Sequence, residues 1–143
     1  MEYGSTVLFV DSVSRTLEFY ERAFGFRKKF FDQEYDFAIV DVAGSELGIS
    51  SYHAGELMMP NTFRAPSNGH TEGVEVAFYT SDVVGAYERA VGAGASSMAQ
   101  PKEMPWGQTV AYVKSPEGTI IGLCTPPPVS DDNENVGDAE QEE

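Results

Sequence analysis

The sequence has no long apolar run and only one cysteine. No stretch approaches the roughly 20 consecutive apolar residues that a membrane helix needs, so we expect no membrane partner. Cys124 is the single cysteine, which excludes a disulfide within the chain and fits a reducing compartment. The first five residues lack a basic segment ahead of an apolar one, so no secretory signal is expected. These features together predict a cytoplasmic protein.

Positive charge is also scarce. Nine Lys and Arg residues stand against 23 Asp and Glu, and the net charge at pH 7 is −14. Nucleic acid is not expected as a partner, because binding phosphates requires clustered Lys and Arg. Seven acidic residues and no basic residue follow Ser130. This composition predicts a solvated, disordered tail over residues 127–143, which serves solubility or, alternatively, contacts a regulatory partner.

The chain does contain an internal repeat. Tyr-Glu-Arg-Ala occurs at residues 20–23 and again at 87–90, and glycine follows two residues later in both copies. A strand-like apolar segment precedes each copy, at 5–13 and 75–83, and apolar residues then recur at helical spacing. Each half therefore begins with a strand followed by a helix.

The ends of the two helices carry recognisable signals. Ser12 and Asp82 are predicted N-caps, because their side chains accept hydrogen bonds from free backbone N–H groups. Gly25 and Gly92 are predicted to end the two helices at their C-termini, where a left-handed backbone conformation is common.

Three strand-like segments follow each helix and complete the repeat. They lie at residues 26–31, 37–42 and 46–51 in the first half, and at 95–99, 108–114 and 119–124 in the second. The chain is therefore predicted to be an α+β protein with two tandem βαβββ modules related by a pseudo-twofold axis. The modules cover residues 1–51 and 74–126, and a linker rich in Pro and Asn covers 52–73.

Each module leaves one face of its sheet without a helix. Two such modules bury these faces by curling them toward a shared cavity. Gly48 and Gly122 hold equivalent places in the two halves, counted from the turn glycines Gly44 and Gly118. Glycine within a strand often marks the close approach of another group, so both glycines are predicted to border the cavity.

Three segments carry a resemblance to a known family: VLFVDSVSRTLEFYERAFGF (7–26), VEVAFYTSDVVGAYERAVGAGA (74–95) and PWGQTVAYVKSPEGTIIGLCTP (105–126). In this order, and with the repeat, they resemble the vicinal oxygen chelate superfamily, which includes glyoxalase I, bleomycin-resistance proteins and extradiol dioxygenases. The resemblance covers residues 3–126. It implies a half-barrel fold and a homodimer.

The resemblance also implies where a metal would bind. Metal enzymes of the family take His or Glu ligands from the first and last strands of each module, and the matching positions here are Ser5, Gly48, Glu75 and Gly122. Glycine has no side-chain donor and a neutral serine hydroxyl is a weak one, so Glu75 is the single good ligand. We therefore expect no metal cofactor and a cavity enlarged for an organic ligand.

Several side chains are candidates for this ligand site. Glu75 is predicted to be a buried carboxylate, serving as a general base, as an anchor for a cationic or hydroxylated ligand, or as part of a structural hydrogen-bond network. Trp106 stacks on a planar ligand or, alternatively, caps the core or a dimer seam. The other candidate wall residues are Tyr112, Phe37 and the linker residues His53 and Phe63.

Three functions are compatible with these features. The first is metal-independent binding or sequestration of a small organic molecule, as in bleomycin-resistance proteins. The alternative is a metal-dependent glyoxalase- or dioxygenase-type enzyme in which Glu75 is a ligand or base. The third is a scaffold or regulatory role through the acidic tail.

Overall fold

The computed structural model describes residues 1–63 and 73–128. Most of the predicted tail and part of the predicted linker lie outside these ranges. The elements, in chain order, are β1 (Val7–Val10), α1 (Val13–Phe24), β2 (Arg27–Asp32), β3 (Phe37–Val42), β4 (Ser45–Ser51), α2 (Tyr52–Met58), β5 (Glu75–Tyr79), α3 (Val83–Gly92), β6 (Ser96–Glu103), β7 (Thr109–Lys114) and β8 (Ile120–Cys124). None of the helices in the described ranges has the length and apolar character needed to cross a membrane.

The strands form two four-stranded sheets with the same topology. The strand order is β1-β4-β3-β2 in the first sheet and β5-β8-β7-β6 in the second. Gly48 pairs with Val7 in the parallel β1–β4 ladder, and Gly122 pairs with Ala77 in the parallel β5–β8 ladder. The prediction of two tandem βαβββ modules is therefore confirmed.

Each helix covers one face of its own sheet. Alternate strand residues point toward the helix, as the two-residue period of a strand requires. The fully buried strand residues on this side include Val10, Ala38, Val40 and Ile49 in the first module and Ala111, Val113, Ile121 and Leu123 in the second. On the opposite face of the first sheet, helix α2 contacts Phe9 beside β1 and β4; the rest of that face and the opposite face of the second sheet are called uncovered below.

The helix ends follow the sequence signals with one exception. The Ser12 side chain accepts a hydrogen bond from the backbone N–H of Arg15 over 3.2 Å, and Gly25 ends α1 at φ +71°. Gly92 was expected to end the second helix, but it is the last helical residue of α3. Gly94, at φ +113°, supplies the left-handed turn instead, because glycine adopts this backbone without a Cβ clash.

The predicted linker contains a helix that its Pro and Asn residues did not indicate. Helix α2 follows β4 directly, and the Ser51 hydroxyl accepts a hydrogen bond from the Ala54 backbone N–H over 3.0 Å. A Cβ on Gly55 would lie 2.7 Å from the ring of Phe63, and the Phe9 and Phe63 rings are 4.8 Å apart. Glycine at position 55 thus allows the chain after α2 to fold back onto β1.

The two modules meet through aromatic side chains on the helix-covered side. The ring of Phe78, on β5, lies 4.9 to 6.3 Å from the rings of Phe26, Phe24 and Tyr20. Helices α1 and α3 also pack against each other. On the other side of the junction, a carboxylate oxygen of Glu117 accepts a hydrogen bond from the Asp11 backbone N–H over 3.2 Å.

Tyr20 lies in this junction with an unsatisfied hydroxyl. Its side chain is fully buried, and within the described part of the chain its oxygen has no hydrogen-bond partner. Burial raises the pKa of the phenol above its ordinary value of 10.0. We expect Tyr20→Phe to raise the free energy of unfolding by about 1 kcal/mol, since it removes a buried polar group that lacks a partner. Urea denaturation at pH 7 measures this.

Tyr87→Phe is the matched control, because the Tyr87 hydroxyl donates a hydrogen bond to Ser97 Oγ over 2.6 Å. Losing that bond should lower the free energy of unfolding by about 1 kcal/mol. Equal destabilisation by both substitutions would show that Tyr20 has a hydrogen-bond partner in solution.

Candidate functional site

The uncovered face of the second sheet forms a cavity of about 500 Å³. This volume falls in the range typical of small-molecule sites. We call it the second-sheet cavity. Its walls come from all four strands of that sheet and from the segment before β7, and they include Glu75, Ala77, Tyr79, Ala99, Lys102, Trp106, Val110, Tyr112 and Cys124.

Gly122 shapes the floor of this cavity. A Cβ added to Gly122 would lie 3.0 Å from a carboxylate oxygen of Glu75 and 3.3 Å from the ring of Tyr112. The missing side chain thus leaves space that the Glu75 carboxylate enters from the neighbouring strand. The position at which the resemblance implies a metal ligand therefore has the Glu75 carboxylate beside it.

The Glu75 carboxylate influences both a phenol and a thiol. Partial burial raises the pKa of Tyr112, and the charge of Glu75, the neighbouring Cys124 and a hydrogen bond with Glu75 raise it further. Burial and, secondarily, Glu75 raise the pKa of the Cys124 thiol. Both groups are therefore protonated at neutral pH. Cys124 is consequently poorly suited to act as a nucleophile, because the thiolate is the reactive form.

Glu75 itself is exposed, which corrects the prediction of a buried carboxylate. It is the first residue of β5, an edge strand, so one flank of the residue faces away from the sheet. Its charge remains hydrated and needs no ion-pair partner. The exposed position favours contact with a ligand over a purely structural role.

Trp106 borders the cavity in a fixed orientation. Its indole N–H donates a hydrogen bond to the Gln108 side-chain oxygen over 2.8 Å, and the Gln108 amide donates to the Thr125 carbonyl over 2.7 Å. The residue is 57% exposed. An exposed ring held in this way offers a flat apolar surface at the cavity edge.

Three of the predicted site residues lie in the first module, away from this cavity. A Cβ on Gly48 would meet Val7 at 3.0 Å and Phe37 at 3.5 Å, which places Gly48 and Phe37 on the uncovered face of the first sheet. Ser5 is exposed and precedes β1. None of the three lines the second-sheet cavity.

The second-sheet cavity is therefore lined by residues 75–127 and not by the uncovered faces of both sheets. The aromatic junction around Phe78 lies on the helix-covered side of the sheets. It joins the modules on the side of the sheets opposite to the second-sheet cavity.

A second cavity does lie between the modules, beside the edge strands β1 and β5. We call it the seam cleft; its volume is about 420 Å³, and its lining includes Val7, Phe9, Phe63, Glu75, Glu117 and Ile120. Phe63 belongs to this cleft rather than to the second-sheet cavity. Glu75 lines both spaces, so it forms part of the wall between them. His53 is exposed on α2 and lines neither of them.

Sequence reasoning missed Lys102 and Ala99 as cavity residues. The period of two along β5 leads from Glu75 to Ala77 and Tyr79. On β6 that period fails, because the pairing with β7 shifts register between Ser97 and Ala99 and again between Ala99 and Lys102. Such bulges leave no clear signal in a single sequence.

The residues that the structure describes do not fit a metal ion. Residues 1–63 and 73–128 contain no group of three or more His, Cys, Asp or Glu side chains placed to hold one. Of the four positions implied by the family resemblance, only Glu75 carries a strong donor, and the space beside Gly122 is filled by that same carboxylate. A divalent metal needs several such donors.

The raised pKa of Tyr112 leads to a test of its contact with Glu75. Because the folded protein favours the protonated phenol, this group stabilises the fold below its unfolded pKa of about 10. That contribution is lost as the pH rises through the folded value. We expect Glu75→Gln to lower the pKa of Tyr112 only in part, since partial burial is the larger cause. NMR titration of tyrosine labelled at Cζ measures the shift. An unchanged pKa would show that the two side chains are not in contact.

Comparison with known proteins agrees with this architecture. Several solved structures have the same fold at low sequence identity. A glyoxalase-related enzyme from Fulvimarina pelagi aligns with a TM-score of 0.73 and 18% identity, over 92% of this chain and 95% of that chain. A glyoxalase/bleomycin resistance protein/dioxygenase family enzyme from Burkholderia phytofirmans PsJN aligns with a TM-score of 0.68 and 21% identity, over 85% and 95% of the two chains.

TioX from Micromonospora sp. ML1 aligns with a TM-score of 0.63 and 20% identity, over 86% of this chain and 98% of that chain. No curated protein matches the sequence significantly. The model of one protein family, however, matches residues 3–123, which is most of the chain. This chain belongs to the Glyoxalase/Bleomycin resistance protein/Dioxygenase superfamily.

Proposed function

We propose that this protein binds a small, partly apolar organic molecule in the second-sheet cavity without using a metal. One observation carries the proposal: Gly122 leaves the Glu75 carboxylate beside Tyr112, over a floor of small side chains, where metal enzymes of the family hold an ion. A carboxylate and a phenol orient the ligand, and the apolar floor and Trp106 exclude water from it.

The proposal includes a homodimer in the cytoplasm. The second-sheet cavity is lined by a single sheet, so a bound molecule would keep one side in water. A second copy of the chain that laid the uncovered face of its first sheet over the cavity would supply the missing wall. The apolar residues Phe30, Phe37 and Ile39 lie on that face, since they alternate with the buried Ala38. The single cysteine is compatible with a reducing cytoplasm.

Two measurements test this function. The first is elemental analysis of the purified protein, in which we expect no stoichiometric Ni, Zn, Mn or Fe. The second is a screen of small aromatic compounds by quenching of Trp106 fluorescence. Trp106 is the only tryptophan and borders the cavity, so its emission reports directly on occupancy. Hits should bind equally well with and without EDTA.

Two results would contradict the proposal. Stoichiometric metal together with loss of binding in EDTA would instead favour the alternative of a metal-dependent glyoxalase- or dioxygenase-type enzyme. Hits that quench Trp106 but bind equally well after Glu75→Gln and after Tyr112→Phe would show that neither polar group orients the ligand.

A further inference from the structure

We infer that the ligand of the second-sheet cavity is two-headed, with a cationic amine at one end and a carboxylate or phosphate at the other. This inference rests on the proposed function and names the chemical class of the ligand. It follows from the positions of two opposite charges on the uncovered face and from the uncharged surface that separates them.

Glu75 and Lys102 are the only charged side chains among the cavity-lining residues that the structure describes. Both residues are exposed, so their charges remain available to a ligand. Within the described ranges, Lys102 makes no salt bridge. Because each charge is the only one of its sign in the cavity, a ligand with a single charge would satisfy only one of them.

The sheet register places the two residues on opposite edge strands, β5 and β6. Lys102 pairs with Val110 on β7, Val110 pairs with Cys124 on β8, and Cys124 pairs with Tyr79 on β5. This row crosses all four strands, a width of about 14 Å at the usual strand spacing. Glu75 lies on β5, four residues before Tyr79, and its carboxylate extends inward as far as Gly122. The Glu75 carboxylate is therefore roughly 12 Å from the Lys102 backbone, two strand spacings across the sheet and two residues along it.

The surface that separates the two charged residues carries no other charged side chain among the described residues. The next row across the sheet consists of Ala77, Gly122, Tyr112 and Ala99. The Glu75 carboxylate lies beside Gly122 in this row, so Tyr112 and Ala99 are the residues between it and the β6 edge. Trp106 borders the same surface. A rigid, flat, apolar spacer fits such a floor, because small residues leave room and aromatic rings supply stacking contacts. This combination favours an elongated aromatic molecule with charged ends.

A matched series of four probes tests the inference. 4′-(Aminomethyl)biphenyl-4-carboxylic acid carries both charges, 4-phenylbenzylamine only the cation, biphenyl-4-carboxylic acid only the anion, and 4-phenylbenzyl alcohol neither. Each probe is titrated into the full-length protein at low salt, with excitation of Trp106 at 295 nm and calorimetry as an independent readout. We expect the doubly charged probe to bind best, by about fivefold over each singly charged probe.

Two charge-removing variants assign each end of the probe. Glu75→Gln should weaken the two amine-bearing probes by about fivefold and leave biphenyl-4-carboxylic acid unchanged or slightly tighter. Lys102→Met should weaken the two carboxylate-bearing probes by a similar factor and leave 4-phenylbenzylamine unchanged. Glu88→Gln on α3 and Lys28→Met on β2 are the matched controls, because they change the net charge equally at exposed positions away from the cavity.

The outcomes separate this inference from the function on which it rests. Equal affinities across the four probes, or equal effects of each variant on all probes, would overturn the two-headed ligand and leave binding in the cavity intact. If no probe changes Trp106 emission or releases heat, while the screen finds other compounds that bind the cavity, the ligand class is also wrong. If neither the probes nor the screen gives binding, the proposed function fails as well.

Discussion

Replacing Gly122 with leucine should weaken ligand binding by about 50-fold and leave the fold intact. The leucine side chain would extend from the cavity floor into the space that the Glu75 carboxylate now occupies, 3.0 Å from the position of the new Cβ. A bound ligand would overlap the leucine side chain, which typically costs roughly 2 to 3 kcal/mol, and each 1.4 kcal/mol is about tenfold in affinity. Fluorescence titration with the tightest-binding probe measures the loss.

The fold should tolerate this substitution. The nearest neighbours of the new Cβ are the end of the Glu75 side chain, an edge of the Tyr112 ring and the Ala77 Cβ at 3.5 Å, and the first of these moves easily. We expect the free energy of unfolding to change by less than about 1 kcal/mol. Gly92→Leu is the control, since a Cβ at that position at the end of α3 meets no atom within 4 Å. Unchanged affinity in Gly122→Leu would exclude the second-sheet cavity as the binding site.

Replacing Ile121 with alanine should lower the free energy of unfolding by about 3 to 4 kcal/mol. Ile121 is fully buried on β8, in the core that includes Val113 and Leu123. Truncating a fully buried isoleucine removes apolar contacts and leaves a cavity, which usually costs 2 to 5 kcal/mol. Urea denaturation followed by circular dichroism measures this, with the midpoint falling and the slope unchanged.

Its neighbour Ile120 provides the matched control. Ile120 is the same residue type on the same strand, but it is half-buried and lines the seam cleft. Because successive strand residues point to opposite faces, Ile120→Ala should cost only about 1 kcal/mol. Equal losses from the two substitutions would show that the helix-covered and uncovered faces of the second sheet are assigned incorrectly.

The internal repeat made most of the fold predictable. The two copies of Tyr-Glu-Arg-Ala, their N-caps Ser12 and Asp82, and the equivalent glycines Gly48 and Gly122 all correspond to matching places in the structure. Each of these signals is local, because a cap, a turn or an alternating strand depends on residues a few positions apart. Because each signal occurs twice, the two copies support the same prediction of a repeated module.

The features that were not predicted depend on longer-range contacts. Residues 52–58 form helix α2 where a linker was predicted, and Gly55 in this helix packs against Phe63 and Phe9. Strand β6 continues to Glu103 through two register shifts, which brings Lys102 onto the uncovered face. Helix and strand propensities alone predict neither helix α2 nor the extension of β6 to Glu103. Both depend on contacts with side chains from neighbouring elements.

The amino-acid sequence by itself determined the two modules, the family and the absence of strong donors at three of the four ligand positions. These are properties of residue identity and local spacing. Only the tertiary structure decided that Glu75 is exposed, that its carboxylate fills the space left by Gly122, and that Lys102 shares the cavity with it. The physical reason is that a cavity is formed by side chains from strands far apart in the chain, and their relative positions follow from strand register and from packing at the aromatic junction.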